Sequence, residues 1–225
     1  MSTWAVVPMK SFLRGKSRLA SVLGAPDRAA LSRALFEHVL SAVRDCRVID
    51  GCLVVTDGDD VAQVARALGA EVWPQPKGAS LGECIDDALG LLENKEVDRA
   101  LVLMADLPLV DSHTLDRLLE RVSEKRSRAD LAIAPDTHEE GTSALVLAPP
   151  RRIATCFGHE DSFSHHLARA AEEGLHVAIF RNPKLAFDVD TPADLRHLQE
   201  SLGDAPGHPI ILSLSKGGSE IVRQP

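Results

Sequence analysis

Residues 187–195, FDVDTPADL, set two carboxylates, Asp188 and Asp190, on either side of one valine just ahead of a helical pattern. In extended backbone alternate side chains share a face, so both acids point the same way with about 7 Å between their Cα atoms. Like charges that close favour a cation between them. Helix capping is the competing use, because aspartate is a favoured N-cap and helix N-termini attract negative charge. Here the cap has other candidates: Thr191 suits the N-cap, Pro192 the first helical position, and Asp194 the acidic place of a capping box. Leu195, Leu198 and Leu202 then form an apolar stripe that ends at Gly203. That leaves Asp188 and Asp190 to share a metal or to stand as solvated strand-end acids, and the spacing favours the metal.

Three further segments carry residues able to do chemistry. VVPMKSFLRGKSRL, residues 6–19, brings Lys10, Arg14, Lys16 and Arg18 into one loop. It is not a Walker loop, since G-x-x-x-x-G-K would need glycine where Lys10 stands, and it lacks G-x-G-x-x-G. Its cations suit a triphosphate, lysine as a point charge and arginine as a bidentate fork; a solvated basic turn is the alternative. ALVLMADLP, residues 100–108, reads as a strand buried on both faces that ends at Asp106, either a metal ligand at a strand mouth or a turn-forming acid before Pro108. The stretch from EEGTSAL to FGHEDSFSHH, residues 139–166, offers Gly141, Thr142, Gly158 and Ser162, small or hydroxylated positions for a small phosphorylated or carboxylated ligand. Its histidines invite a zinc reading, but H-E-x-x-H would need histidine where Phe163 stands.

These segments sit in a regular frame. WAVVP, CLVVT, EVWP, ALVLMA and DLAIAP read as short strands alternating with amphipathic helices: about Asp27 to Asp45, DDVAQVARAL, SLGECIDDALGLL and HTLDRLLERV. That alternation predicts βαβ units, an α/β fold with a mostly parallel sheet and helices on both faces. SALVLAP and HVAIFR, separated by a polar segment and one helix, predict a mixed element in the second half. In such sheets ligands bind outside the carboxyl ends of strands, where all four segments lie.

The chain has 225 residues, 44% hydrophobic, enough for one substantial domain, assigned to 1–203 with a tail over 204–225. Lys+Arg 25 against Asp+Glu 33 argues against a nucleic-acid face. Cys46, Cys52, Cys84 and Cys156 form no C-x-x-C pair and read as buried thiols of a reducing compartment. No stretch approaches a membrane span. The expectation is a cytoplasmic protein, and the tail, HPIILSLSKGGSEIVRQP, either adds a strand to a partner's sheet in a homodimer or stays mobile.

Taken together, VPMKSFLRGKSRL, ADLP, EEGTSAL, FGHEDSF and FDVDTPADL resemble, in order and over about residues 4–202, the guanylyltransferases of coenzyme F420 biosynthesis. The resemblance implies a three-layer Rossmann-like sandwich of the nucleotidyltransferase (glycosyltransferase-A-like) type. It implies transfer of GMP from GTP to a phosphorylated three-carbon acid with release of pyrophosphate, the acid being 2-phospho-L-lactate, phosphoenolpyruvate or 3-phospho-D-glycerate. By position, Asp106, Asp188 and Asp190 would bind Mg²⁺. Pro8, Lys10, Lys16 and Asp106 would meet the nucleotide, Lys16 and Arg18 would act on its phosphates, and Thr142, Gly158 and Ser162 would hold the acceptor. Ser143 and Gly82 stand where the family commonly has an amide and an asparagine, and FGHEDSF is one residue longer than the form it resembles. The longer, more polar stretch ranks 3-phospho-D-glycerate first, then phosphoenolpyruvate, then 2-phospho-L-lactate. The alternatives are another nucleotidyltransferase, acting on a molybdopterin or a sugar phosphate, and a non-catalytic nucleotide-binding module.

Overall fold

The computed structural model describes residues 1–76, 78–122, 129–202 and 210. Seven strands form one sheet: β1 (Thr3–Pro8), β2 (Gly51–Thr56), β3 (Glu71–Pro74), β4 (Arg99–Leu103), β5 (Leu131–Pro135), β6 (Thr142–Leu147) and β7 (Val177–Ile179). Their order is β3-β2-β1-β4-β6-β5-β7. Only β6 runs antiparallel to its neighbours, so the second half carries the expected mixed element. The helices are α1 (Ala25–Asp45), α2 (Asp59–Ala67), α3 (Leu81–Asn94), α4 (Ser112–Leu119), α5 (Ser162–Glu172), α6 (Pro183–Ala186) and α7 (Pro192–Leu202). Two strands are shorter than their apolar runs: the one in ALVLMA stops at Leu103, and the one in HVAIFR at Ile179.

Alternate strand residues separate into two cores, as the period of a pleated strand requires. Ala5, Val7, Val54, Leu101, Ala132 and Val146 face one core, with Phe36, Val39 and Val43 of α1, Val61 of α2 and Leu115 of α4. Val6, Leu53, Val55, Val102, Ile133 and Leu145 face the other, with Ile85 and Leu89 of α3 and Phe163 and Ala170 of α5. The three-layer sandwich is therefore helices, sheet, helices. A third cluster lies beside the sheet and joins Leu19, Leu31 and Leu35 to Val189, Leu195 and Leu198; Ile210 is wholly buried there, beyond position 203.

Antiparallel β6 matters for function. Leu103 pairs with Ala144, and Met104 N–H donates to Ser143 O at 3.0 Å, so the start of β6 lies beside the end of β4. Thr142 is thereby brought to the carboxyl edge of the sheet that also carries Asp106. Among the described residues no helix is long and apolar enough to cross a membrane.

Candidate active site

Val189 explains the spacing of its neighbours. It is wholly buried in the third cluster, which turns Asp188 and Asp190 away from that core. Neither acid caps α7. Thr191 N–H donates to Asp194 Oδ2 at 2.7 Å and Asp194 N–H donates to Thr191 Oγ1 at 3.3 Å, the reciprocal pair of a capping box. Asp106 reaches the same place from the turn after β4. One oxygen from each of Asp106, Asp188 and Asp190 lies within 4.8 Å of the others.

A lysine sits against this trio. Lys16 Nζ donates to Asp106 Oδ2 at 2.7 Å and to Asp190 Oδ1 at 2.9 Å, with its side chain 7% exposed. Burial works against the ammonium, but Asp106 and Asp190 outweigh it and hold Lys16 above the ordinary lysine range. Asp188 accepts no hydrogen bond from Lys16, whose charge only partly offsets what raises its carboxyl. Burial first, then the charges of Asp106 and Asp190, push its carboxyl up to about 6. Three converging carboxylates, one of them short of positive charge, form an all-oxygen donor set of the kind that suits a hard divalent cation.

The basic loop is held in place by residues that its own sequence does not reveal. Asp60 Oδ2 accepts from Ser11 Oγ at 3.1 Å and from Phe12 N–H at 2.9 Å, and Arg14 pairs with Asp57 at 2.5 Å. Gly58 permits the approach, since a Cβ there would stand 2.7 Å from Ser11 Cα. Lys16 itself adopts φ 56°, a left-handed conformation uncommon outside glycine and shared here with Glu96 and Glu139. Arg18 is mostly exposed and 3.7 Å from Asp190 Oδ2. Pro8 is buried at the end of β1, and Lys10 is exposed just beyond it. The loop thus divides its cations: Arg14 anchors it, Lys16 and Arg18 reach the acids, and Lys10 stands in solvent at the strand end.

Of the acceptor candidates, Thr142 and Ser162 come together, with Ser162 Oγ 3.3 Å from Thr142 Oγ1. Gly158 lies in the preceding turn at φ 94°, a value that favours glycine. Gly82 of α3 fits closely beneath that turn, for a Cβ would stand 2.9 Å from Phe157 O. His166 had no place in the expected site. It is wholly buried: its Nδ1 lies 3.0 Å from Thr142 Oγ1, and its Nε2 accepts from Cys156 N–H at 2.8 Å. Burial holds the imidazole down to about 4, so it is neutral near pH 7. The signal was present in SFSHHLARAAE, where Phe163, His166 and Ala170 share one helical face. His159 and His165 instead stack on each other at 5.1 Å, away from that face. A cleft of about 1140 Å³ opens beside the acids, lined by Arg18, Asp188, Asp190, Glu140 and Glu160 among others.

The family model described as "Guanylyl transferase CofC like" matches residues 3–200. The chain belongs to this family. A phosphoenolpyruvate guanylyltransferase of Sphaerobacter thermophilus is 38% identical to this CofC-like chain over 92% of it and 95% of the relative. A 2-phospho-L-lactate guanylyltransferase of Methanothermobacter thermautotrophicus is 31% identical over 87% and 83%. A 3-phospho-D-glycerate guanylyltransferase of Colwellia psychrerythraea is 30% identical over 88% and 91%. In fold, the CofC-like chain matches a crystal structure of a nucleotide-diphospho-sugar transferase from Desulfovibrio desulfuricans, with TM-score 0.77 and 20% identity over 98% of this chain and 97% of that one.

Proposed function

We propose that this chain transfers GMP from GTP to the phosphate of phosphoenolpyruvate, a step of the kind used in coenzyme F420 biosynthesis. The observation that carries the reading is the convergence of Asp106 with Asp188 and Asp190 around the Lys16 ammonium. In this reaction an acceptor phosphate oxygen bonds to the α-phosphorus of GTP, the bond from that phosphorus to the bridging oxygen breaks, and pyrophosphate leaves. The acceptor phosphate is already largely anionic at neutral pH, so no general base is needed. Asp106, Asp188 and Asp190 would hold Mg²⁺, which when bound supplies positive charge between two anionic reactants. Lys16 holds Asp106 and Asp190 in place and contributes a fixed cation. Arg18, exposed beside Asp190, is free to turn toward the leaving oxygens.

The length of GHEDSF ranked 3-phospho-D-glycerate first. We place phosphoenolpyruvate ahead of it, because the relative at 38% identity carries that name and those named for the other two acids stand at 31% and 30%. Ser162 also opens α5 and turns its hydroxyl to Thr142, so the longer stretch builds a helix start rather than an extra polar contact. The test is a competition with purified protein, GTP, Mg²⁺ and equal amounts of the three acids, the guanylylated products being resolved by mass. The phosphoenolpyruvate adduct should dominate. Dominance of another adduct overturns the acceptor and leaves guanylyl transfer standing; no adduct and no pyrophosphate overturns both.

A further inference from the structure

Gly141, which the sequence offers as a small position for a ligand, serves another purpose in the fold. Asp136 turns its carboxylate back over the hairpin that joins β5 to β6: Oδ1 accepts from His138 N–H at 3.0 Å and from Glu140 N–H at 3.1 Å, and Oδ2 accepts from Gly141 N–H at 2.8 Å. A Cβ at Gly141 would stand 2.6 Å from that Oδ2, so glycine is what lets the carboxylate close the turn. One aspartate thus satisfies three backbone donors that the turn would otherwise leave to water.

The closed turn faces the segment that carries Asp188. Thr137 Oγ1 donates to Ala186 O at 2.9 Å, and Glu139 accepts a fork from Arg181, Nε to Oε1 at 2.6 Å and Nη2 to Oε2 at 3.0 Å. The first tie holds a carbonyl at the end of α6, two residues before Asp188; the second holds the chain two residues beyond β7. Both partners line the cleft beside the acids, Asp136, Thr137 and Glu139 from the turn and Arg181, Ala186 and Asp188 from the segment.

Asp188 needs such support. One of its oxygens lies within 4.8 Å of oxygens of Asp106 and Asp190, and like charges that close repel. Lys16 draws Asp106 and Asp190 together through its two hydrogen bonds and makes none to Asp188. Leu185 and Val189, both wholly buried, fix the chain on either side, but neither sets the orientation of the peptides between them. Released from Thr137, residues 186–188 can rotate the carboxylate outward into the cleft, where water solvates it better.

Building on the guanylyltransferase reading above, in which Asp188 holds the divalent ion, we infer that the turn closed by Asp136 is a positioning element for that ion, with Thr137 and Glu139 keeping Asp188 directed toward Asp106 and Asp190. Thr137, Glu139 and Arg181 are exposed, and exposed ties of this kind add little to folding stability. Their effect is on direction, so it belongs to metal affinity rather than to melting.

The probe is Mn²⁺ in place of Mg²⁺, its free concentration read by electron paramagnetic resonance with the full chain and no substrate. Thr137→Val combined with Arg181→Gln cuts both ties and should weaken Mn²⁺ binding on the order of tenfold, the lower end of what losing an outer partner of a metal ligand costs. Its melting temperature in metal-free buffer, and its KM for GTP at saturating Mn²⁺, should stay near wild type. Thr137→Ser keeps the hydroxyl and should bind Mn²⁺ as the wild type does, whereas Thr137→Val should not. Wild-type affinity in the double variant, or equal weakening by Thr137→Val and Thr137→Ser, overturns the inference and leaves guanylyl transfer standing. If Asp188→Asn titrates with Mn²⁺ just as the wild type does, the metal role of Asp188 and this inference fall together. Should the double variant not fold, the comparison of Thr137→Val with Thr137→Ser decides on the same readout.

Discussion

Asp188 is costly to the fold where it stands, and the proposed function gives that cost a use. Its carboxyl is partly buried beside two other acids, which together with desolvation lift it to about 6, and Lys16 directs its hydrogen bonds to Asp106 and Asp190 instead. Replacing it with Asn removes a repelled charge without removing volume. Asp188→Asn should therefore lower kcat/KM at least about a thousandfold, about 4 kcal/mol of barrier. In metal-free buffer it should melt no lower than wild type. Added Mg²⁺ should raise the melting temperature of the wild type and leave that of the variant unmoved, because a ligand stabilises only the state that binds it. Wild-type turnover in Asp188→Asn would remove this acid from the site. The alternation of Asp188 and Asp190 about Val189 was legible from spacing alone, since it needs only the pleat of extended backbone. The bridging position of Lys16 was not. It depends on a left-handed backbone at Lys16 and on a loop anchored by Asp57 and Asp60, contacts that cross from β1 to the far end of β2.

At the scale of elements, strand and helix identities were legible because apolar runs and amphipathic periods are local properties. The pairing of β6 was not, because which strand lies beside β4 is decided by the whole sheet. That pairing brings Thr142 to the edge where Asp106 stands, and α5 then closes over it with His166 on its inner face. Burial lowers His166 from 6.5 to about 4, with His165, Arg169 and His159 adding to the effect. The sign follows from linkage: between those values the unfolded chain binds the proton and the folded one does not. The stabilisation is present above about pH 6.5 and is lost as the pH falls toward 4. Denaturant titrations at pH 7 and 4.5 should show the wild type losing about 2 to 3 kcal/mol more than His166→Asn. Asp188 titrates in the opposite sense over the same range, but it is common to both proteins and cancels in the difference. An equal loss in the two would show that the imidazole is not held neutral by the fold.

On the scale of the whole molecule, the two halves of the site rest on a shared foundation. Lys16 is followed by Leu19, Asp188 and Asp190 flank Val189, and both Leu19 and Val189 pack into the third cluster against α1 and α7. Ile210 completes that cluster with no exposed surface, although composition marks everything after 203 as a tail. The sequence around it, Pro209 then two isoleucines, carries no period by which a packed residue could be told from a solvated one, and the rest of the tail lies outside the described residues. Truncating a buried isoleucine removes its transfer free energy and leaves a cavity. Ile210→Ala should therefore cost about 2 to 5 kcal/mol of stability in a denaturant titration. Because the cavity opens beneath Leu19 and Val189, kcat should fall as well, measured well below the unfolding midpoint of the variant, while a truncation of equal size in the opposite core, Leu89→Ala, should lower stability and leave kcat of the folded fraction near wild type. An Ile210→Ala protein as stable as wild type would separate this residue from the core. One that is destabilised but fully active would show that the acids and Lys16 keep their geometry without the cluster beneath them.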